Sequence, residues 1–187
     1  MFRHMPLGAA IVLAMSPASA ERSVEQRLIE DFADMCIAQV TSGNVVSSLS
    51  YQEMTEPQIR ALATSFSFGA VPEAVWFEPS GKWFRVQQDV NVPELCEFFA
   101  VGANPKAIVS AWNAEFGEAY RSRSAARTRT TASGIRAGGF NSKPHEDGFV
   151  QVSFNTFRFE ETDFLILVAL KIGKTPASCD LWPEECD

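Results

Sequence analysis

Six basic residues, Arg121, Arg123, Arg127, Arg129, Arg136 and Lys143, fall between positions 121 and 143 with no acidic residue among them. Guanidinium groups so close in sequence suit one chemistry above others: charge-assisted, often bidentate hydrogen bonds to phosphate, sulfate or carboxylate oxygens. The rest of the chain beyond residue 20 carries nine basic residues and all 23 acidic ones, so this stretch is electropositive within an acidic protein. Alternation puts Arg127 and Arg129 on one face of a strand. The expectation is an anion-facing patch of Arg121, Arg123, Arg127, Arg129 and Arg136, directed at lipopolysaccharide phosphate, an acidic glycan or an acidic partner. The competing reading is an exposed strand whose arginines pair with neighbouring acids and discourage edge-to-edge aggregation.

Other chemistries have thinner support. A Ser-His-Asp hydrolase needs a histidine base, and beyond residue 20 only His145 is present. It lies in the polar turn Lys143-Pro144-His145-Glu146-Asp147-Gly148, which reads as a solvated loop. Paired carboxylates for glycoside cleavage are open in principle, but nothing singles out two among Glu94, Glu97, Glu115 and Glu118, so no catalytic residue is assigned. The glycines from Gly134 to Gly139 lack phosphate-loop spacing and do not open a helix, so no nucleotide, nicotinamide or flavin cofactor is expected. A zinc set from Cys179, Cys186 and His145 matches no standard spacing, and no metal is expected. A net charge of −7 argues against general nucleic-acid binding. Phe98, Phe99, Phe154, Phe157, Phe159 and Phe164 could line an apolar pocket, though such residues more commonly make core.

The positioning elements begin after residue 20. Arg3 and His4, the apolar run Pro6 to Met15 and the small residues Ala18-Ser19-Ala20 read as a signal peptide over residues 1–20, cut before Glu21. No later apolar run is long enough for a membrane helix, so the expectation is a periplasmic or secreted protein, with residues 21–187 forming one domain. An even cysteine count in an exported chain reads as disulfides. Cys36, Cys96, Cys179 and Cys186 allow three pairings, and the sequence does not choose among them. Cys36–Cys96 with Cys179–Cys186 is favoured, because it pins a helix to a strand and closes an acidic tail at 173–187.

Ser23 and Gln26 form a capping box opening a helix to Val40, with Val24, Leu28, Phe32, Cys36 and Val40 as its apolar stripe. Thr55-Glu56-Pro57-Gln58 opens a second helix with Ile59, Leu62 and Phe66 on its buried side, stopped at Gly69. Strands follow at Ala74–Phe77, Lys82–Gln88 and Leu95–Val101, then a helix from Asn104-Pro105 to Phe116. Residues 118–147 read as a basic segment with a strand near Ala126–Thr131 and an exposed loop in its second half. Phe149–Phe159 changes apolar parity, which a bulge near Asn155-Thr156 would repair. Phe164–Ile172 reads as a central strand covered on both faces. The fold class is α+β: one domain, a mainly antiparallel sheet of about five or six strands, an N-terminal helix disulfide-linked to it and a helix near 105–116.

Cys36 in Phe32-Ala33-Asp34-Met35-Cys36, Cys96 in Pro93-Glu94-Leu95-Cys96, and a hairpin carrying Trp76 and Trp83 between them resemble a group of small, uncharacterised exported proteins of Gram-negative, alphaproteobacterial, species. The resemblance spans about residues 24–117. It implies a periplasmic setting and a helix–strand disulfide, and no activity. The functional expectation is a non-enzymatic binding or accessory domain of the cell envelope, with an anionic envelope component as partner. One alternative is an inhibitor or immunity-type protein that captures a basic protein by electrostatic steering. An alternative of another class is a carboxylate-based hydrolase.

Overall fold

A computed structural model describes residues 22–45, 50–66, 70–89, 91–132, 134–159 and 161–186; the signal peptide expected at 1–20 and the helix stop at Gly69 lie outside them. In chain order the elements are α1 (Val24–Phe32), a π-helical turn (Ala33–Ile37), α2 (Ala38–Ser42), β1 (Gln52–Glu53), α3 (Glu56–Phe66), β2 (Ala74–Phe77), β3 (Trp83–Gln87), β4 (Leu95–Val101), α4 (Pro105–Phe116), β5 (Arg121–Thr131), β6 (Gly134–His145), β7 (Gly148–Phe159), β8 (Thr162–Ile172), α5 (Pro176–Cys179) and a 3₁₀ turn (Pro183–Glu185). The strands form one eight-stranded sheet ordered β1-β2-β3-β4-β8-β7-β6-β5, antiparallel throughout. The fold is α+β.

The N-terminal helical run starts where the sequence places it. Ser23 accepts from the Gln26 backbone N–H at 3.1 Å, and the Gln26 side chain accepts from the Ser23 N–H at 2.8 Å. Residues spaced by four overshoot a full α-helical turn by about 40° at each step, so a long spacing-four stripe winds off its face. The π turn, one residue wider, takes back part of that drift. Leu28, Phe32, Cys36 and Val40 are accordingly all buried on the same core. Gly43 closes the run at φ +72°, a left-handed conformation that glycine adopts without strain.

Alternation along the strands divides two cores. The inner face packs on α1, the π turn, α2 and α4 through Cys96, Phe98, Ala100, Val150, Val152, Phe154, Leu165, Leu167 and Ala169. The outer face at β2–β4 takes Ile59 of α3 onto Val75, Phe84, Val86 and Phe99, with Phe84 and Phe99 stacked at 5.4 Å. The aromatics grouped in the sequence reading are thereby separated. Phe98 and Phe154 lie inside and Phe99 outside, while Phe157 stacks on Phe164 at 5.4 Å. Phe98 and Phe154 therefore share no pocket with Phe99.

Cys36–Cys96 joins the π turn to β4 with both residues fully buried, and Cys179–Cys186 closes the tail. Three expectations are corrected. The second half of 118–147 is not a loop: β5 and β6 form a long hairpin, which raises the sheet from five or six strands to eight. No bulge breaks β7 against β8; their register is continuous from Phe149↔Ile172 to Phe159↔Thr162. The parity change needs no repair, because the sheet carries apolar residues on both faces and Phe157 belongs to the outer one. Finally, β8 is covered fully only inside; Ile166, Val168 and Leu170 remain half-exposed outside.

Candidate functional site

Arg127-Thr128-Arg129-Thr130-Thr131 interleaves long cations with β-branched threonines, a pattern that favours an extended chain with the cations on one side. In β5, Arg127 lies opposite Gly138 and Arg129 opposite Arg136, so Arg127 and Arg129 share the outer face as the alternation requires. Register shifts between Ser122 and Ser124, and between Ser124 and Arg127, set the start of the strand apart from its end. Two glycines of β6 shape the floor. A Cβ on Gly139 would approach Phe154 Cε1 to 2.7 Å and Ala126 Cβ to 2.9 Å, so only glycine lets the sheet close here. Gly138 leaves the outer side open beside Asn155.

The result is two adjoining clefts on the outer face. One, of about 240 Å³, is lined by Ser124, Arg127, Arg129, Gly138, Phe140 and Asn155, among others. The other, of about 330 Å³, is lined by Arg129, Thr131, Arg136, Asn155, Phe157 and Arg158, among others. Arg129 and Asn155 belong to both. Asp163 joins the group: its Oδ1 lies 3.1 Å from Arg136 Nη1 and 3.3 Å from Arg158 Nε. Arg127 and Arg129 have no ion-pair or hydrogen-bond partner among the described residues. The clefts therefore bring four guanidinium groups together with amide and hydroxyl groups.

The structure brings together only part of the expected patch. Arg127, Arg129 and Arg136 meet at the clefts. Arg121 is engaged elsewhere: it pairs with Glu184 at 2.6 Å, donates to the Leu181 carbonyl at 2.6 Å and lies over the Trp182 ring. Its hydrogen bond to the Glu184 carboxyl holds that group below the usual range. Arg123 is exposed at the register shift. Arg158 joins from β7, 22 residues beyond Arg136 in the sequence; its place on a strand hairpinned to β8 was the only signal for it.

The remaining candidates are dispersed. Glu97, raised by burial and hydrogen-bonded by Gln88, sits on the outer face opposite Val168. Glu115, raised by partial burial beside Asp34 and Glu30, sits on α4 across the sheet. They do not form an acid pair. His145 is not in a solvated loop: it ends β6, half-buried, with Nδ1 lacking a hydrogen-bond partner and 3.9 Å from Asp147. Among the described residues no group of three or more metal-ligating side chains occurs, and no helix is long and apolar enough to cross a membrane.

A buried polar cluster escaped the sequence reading. Arg85 is fully buried on the inner side of β3, donating to Gln39 and stacked 4.6 Å from the Trp76 ring centroid, with Nε and Nη1 unpartnered. Burial lowers its pKa to about 10. Gln39 donates to Gln87 Oε1 at 2.9 Å and to the carbonyls of Pro93 and Leu95 at 3.0 and 2.9 Å. Its one sequence signal is that Arg85 and Gln87 share the parity of the buried Trp83.

Compared with known protein families, with curated proteins and with solved structures, the chain finds no match.

Proposed function

We propose that this is an exported, disulfide-stabilised, non-enzymatic binding domain of the cell envelope that holds an anionic group in the outer-face clefts of β5–β7. The observation that carries the reading is the meeting of Arg127, Arg129, Arg136 and Arg158 at two clefts that share Arg129 and Asn155, with Arg127 and Arg129 unpaired among the described residues. Arginine forks on a rigid sheet present donors at fixed spacing to phosphate or sulfate oxygens. A half-enclosed cleft also screens those charges less than open solvent does. Two disulfides suit an oxidising compartment.

The test is calorimetric titration of the mature protein with pyrophosphate and with a heparin-derived tetrasaccharide, at low and at physiological salt. Binding that weakens with salt and falls roughly tenfold in an Arg127→Ala/Arg129→Ala double variant is expected. No binding by either probe, or binding unchanged in that variant, overturns the reading. The two probes separate a phosphate site from an acidic-glycan site.

A further inference from the structure

The outer face grades across four strands. One line perpendicular to them runs from Arg127 through Gly138 and Asn155 to Ile166. The next runs from Ser124 through Phe140 and Ser153 to Val168, and a third from Arg121 through Ser142 and Gln151 to Leu170. At the β5 edge these lines carry cations or hydroxyls. At β7 they carry amides and a hydroxyl. At β8 they are apolar. Ile166, Val168 and Leu170 are half-exposed although their strand is central to the sheet, and Ile166 packs against the outer cluster that includes Ile59 of α3. Phe157 and Phe164, stacked and half-exposed, continue the apolar side next to Arg158. At about 4.8 Å between neighbouring strands, β5 and β8 are about 14 Å apart.

From this gradient we infer that the ligand is a single anionic amphiphile, its phosphate-type headgroup in the arginine clefts and its hydrocarbon lying across β7 onto β8. The inference rests on the anion-binding reading and names the ligand class for the same site. A bare anion would use only the β5–β7 side and leave the β8 residues wetted. A purely apolar ligand would leave Arg127 and Arg129 uncompensated. An amphiphile satisfies both ends at once: the guanidinium groups meet the acid, and each methylene on β8 leaves water. The second observation in its favour is that Val168 and Leu170 are apolar on the half-exposed side of β8, where the solvent face of an antiparallel sheet ordinarily alternates to polar residues.

The experiment compares four soluble probes on the mature protein, all below their aggregation concentrations: inorganic phosphate, butyl phosphate, dodecyl phosphate and neutral dodecyl maltoside. Dodecyl phosphate is expected to bind at least roughly tenfold tighter than butyl phosphate. A Val168→Ser/Leu170→Ser variant should lose that preference and keep the butyl phosphate affinity. Arg127→Ala/Arg129→Ala should weaken both alkyl phosphates. As a second measurement on the unaltered protein, a dodecyl phosphate carrying a terminal diazirine should label β7 or β8 peptides on illumination. Equal affinity for butyl and dodecyl phosphate, or label confined to β5, overturns the inference and leaves the anion-binding reading standing. Equal affinity for dodecyl maltoside removes the role of charge and overturns both. Binding only to phosphatidylglycerol vesicles, and to no monomeric probe, replaces the single amphiphile with a membrane surface and overturns the inference.

Discussion

The guanidinium of Arg121 lies 3.9 Å above the ring centroid of Trp182, fastening the tail to the first residue of the edge strand. The Trp182 Nε1–H also donates to the Ser142 carbonyl at 3.2 Å, so the indole reaches β6 as well. Trp182→Ala should therefore free the tail while leaving the sheet intact. The expected loss is about 1 kcal/mol from the cation–π contact, read as faster amide exchange over 176–186 with little change elsewhere. Exchange that rises through β7 and β8 as well would show that the tail supports the sheet.

The two tyrosines of the chain, Tyr51 and Tyr120, both have phenols pushed well above the ordinary value, burial being the first cause. Tyr51 also donates to Asp31 at 2.7 Å, whose charge opposes ionisation further. Because the folded values lie above the unfolded one, both contribute stability that is fully present below about pH 10 and lost as pH rises beyond it. Arg85, lowered to about 10, acts oppositely, since the unfolded guanidinium keeps a proton that the folded one releases; one guanidinium against two phenols leaves stability falling. Phenolate absorbance should appear together with loss of near-UV circular dichroism. Phenolate forming at the free-tyrosine pH in a still-folded protein would contradict the burial.

Gln39 and Arg85 make a pair of substitutions with opposite logic. Gln39→Ala removes the acceptor of a buried cation and the donor to Gln87, Pro93 and Leu95. It should cost about 3 kcal/mol, read as a lower denaturant midpoint at unchanged slope. Arg85→Met takes the charge out of the core along with its two unpartnered nitrogens and should cost less. The reverse order would mean that packing on Trp76, and not charge, fixes this cluster.

Neighbouring glycines of β6 should behave differently. Gly139→Ala forces Phe154 or Ala126 to move and should cost about 1–3 kcal/mol by overpacking. At Gly138 a Cβ meets only ordinary contacts, Phe154 O at 3.5 Å and Asn155 Oδ1 at 3.6 Å. Gly138→Ala should therefore keep the thermal midpoint near that of the parent protein while narrowing the cleft. Equal destabilisation by both would remove the distinction between a packing glycine and a site glycine.

Local chemistry was legible wherever one short stretch carried the whole signal. The Ser23/Gln26 box, the Asn104-Pro105 opening of α4 and the limits of β2 and β4 all rest on residues within one turn or one strand. The favoured disulfide pairing, one of three that the sequence left open, rested on a helix stripe meeting a strand. β6 was hidden because Gly134, Gly138, Gly139 and Pro144 resemble loop chemistry. Pairing between β5 and β7 overrides that composition, since both neighbours satisfy the backbone of β6. At the candidate site, the shared face of Arg127 and Arg129 was readable from spacing alone, whereas the place of Arg158 and Asn155 beside them required the β7 register. That Arg121 is held by the tail was not readable, because its partners, Leu181, Trp182 and Glu184, arrive from about 60 residues away.

The arginines of β5 also bear on how the molecule treats its own copies. An eleven-residue strand at the margin of a sheet offers a free row of backbone donors and acceptors to any extended chain. If two molecules joined these margins antiparallel about Ala126, Arg123 of each would stand across from Arg129 of the other, and like charges placed so repel. The same row is complementary to an acidic segment. The sign of the charge along a single strand thus separates pairing with a second copy from pairing with an acidic segment, so this margin resists growing into filaments.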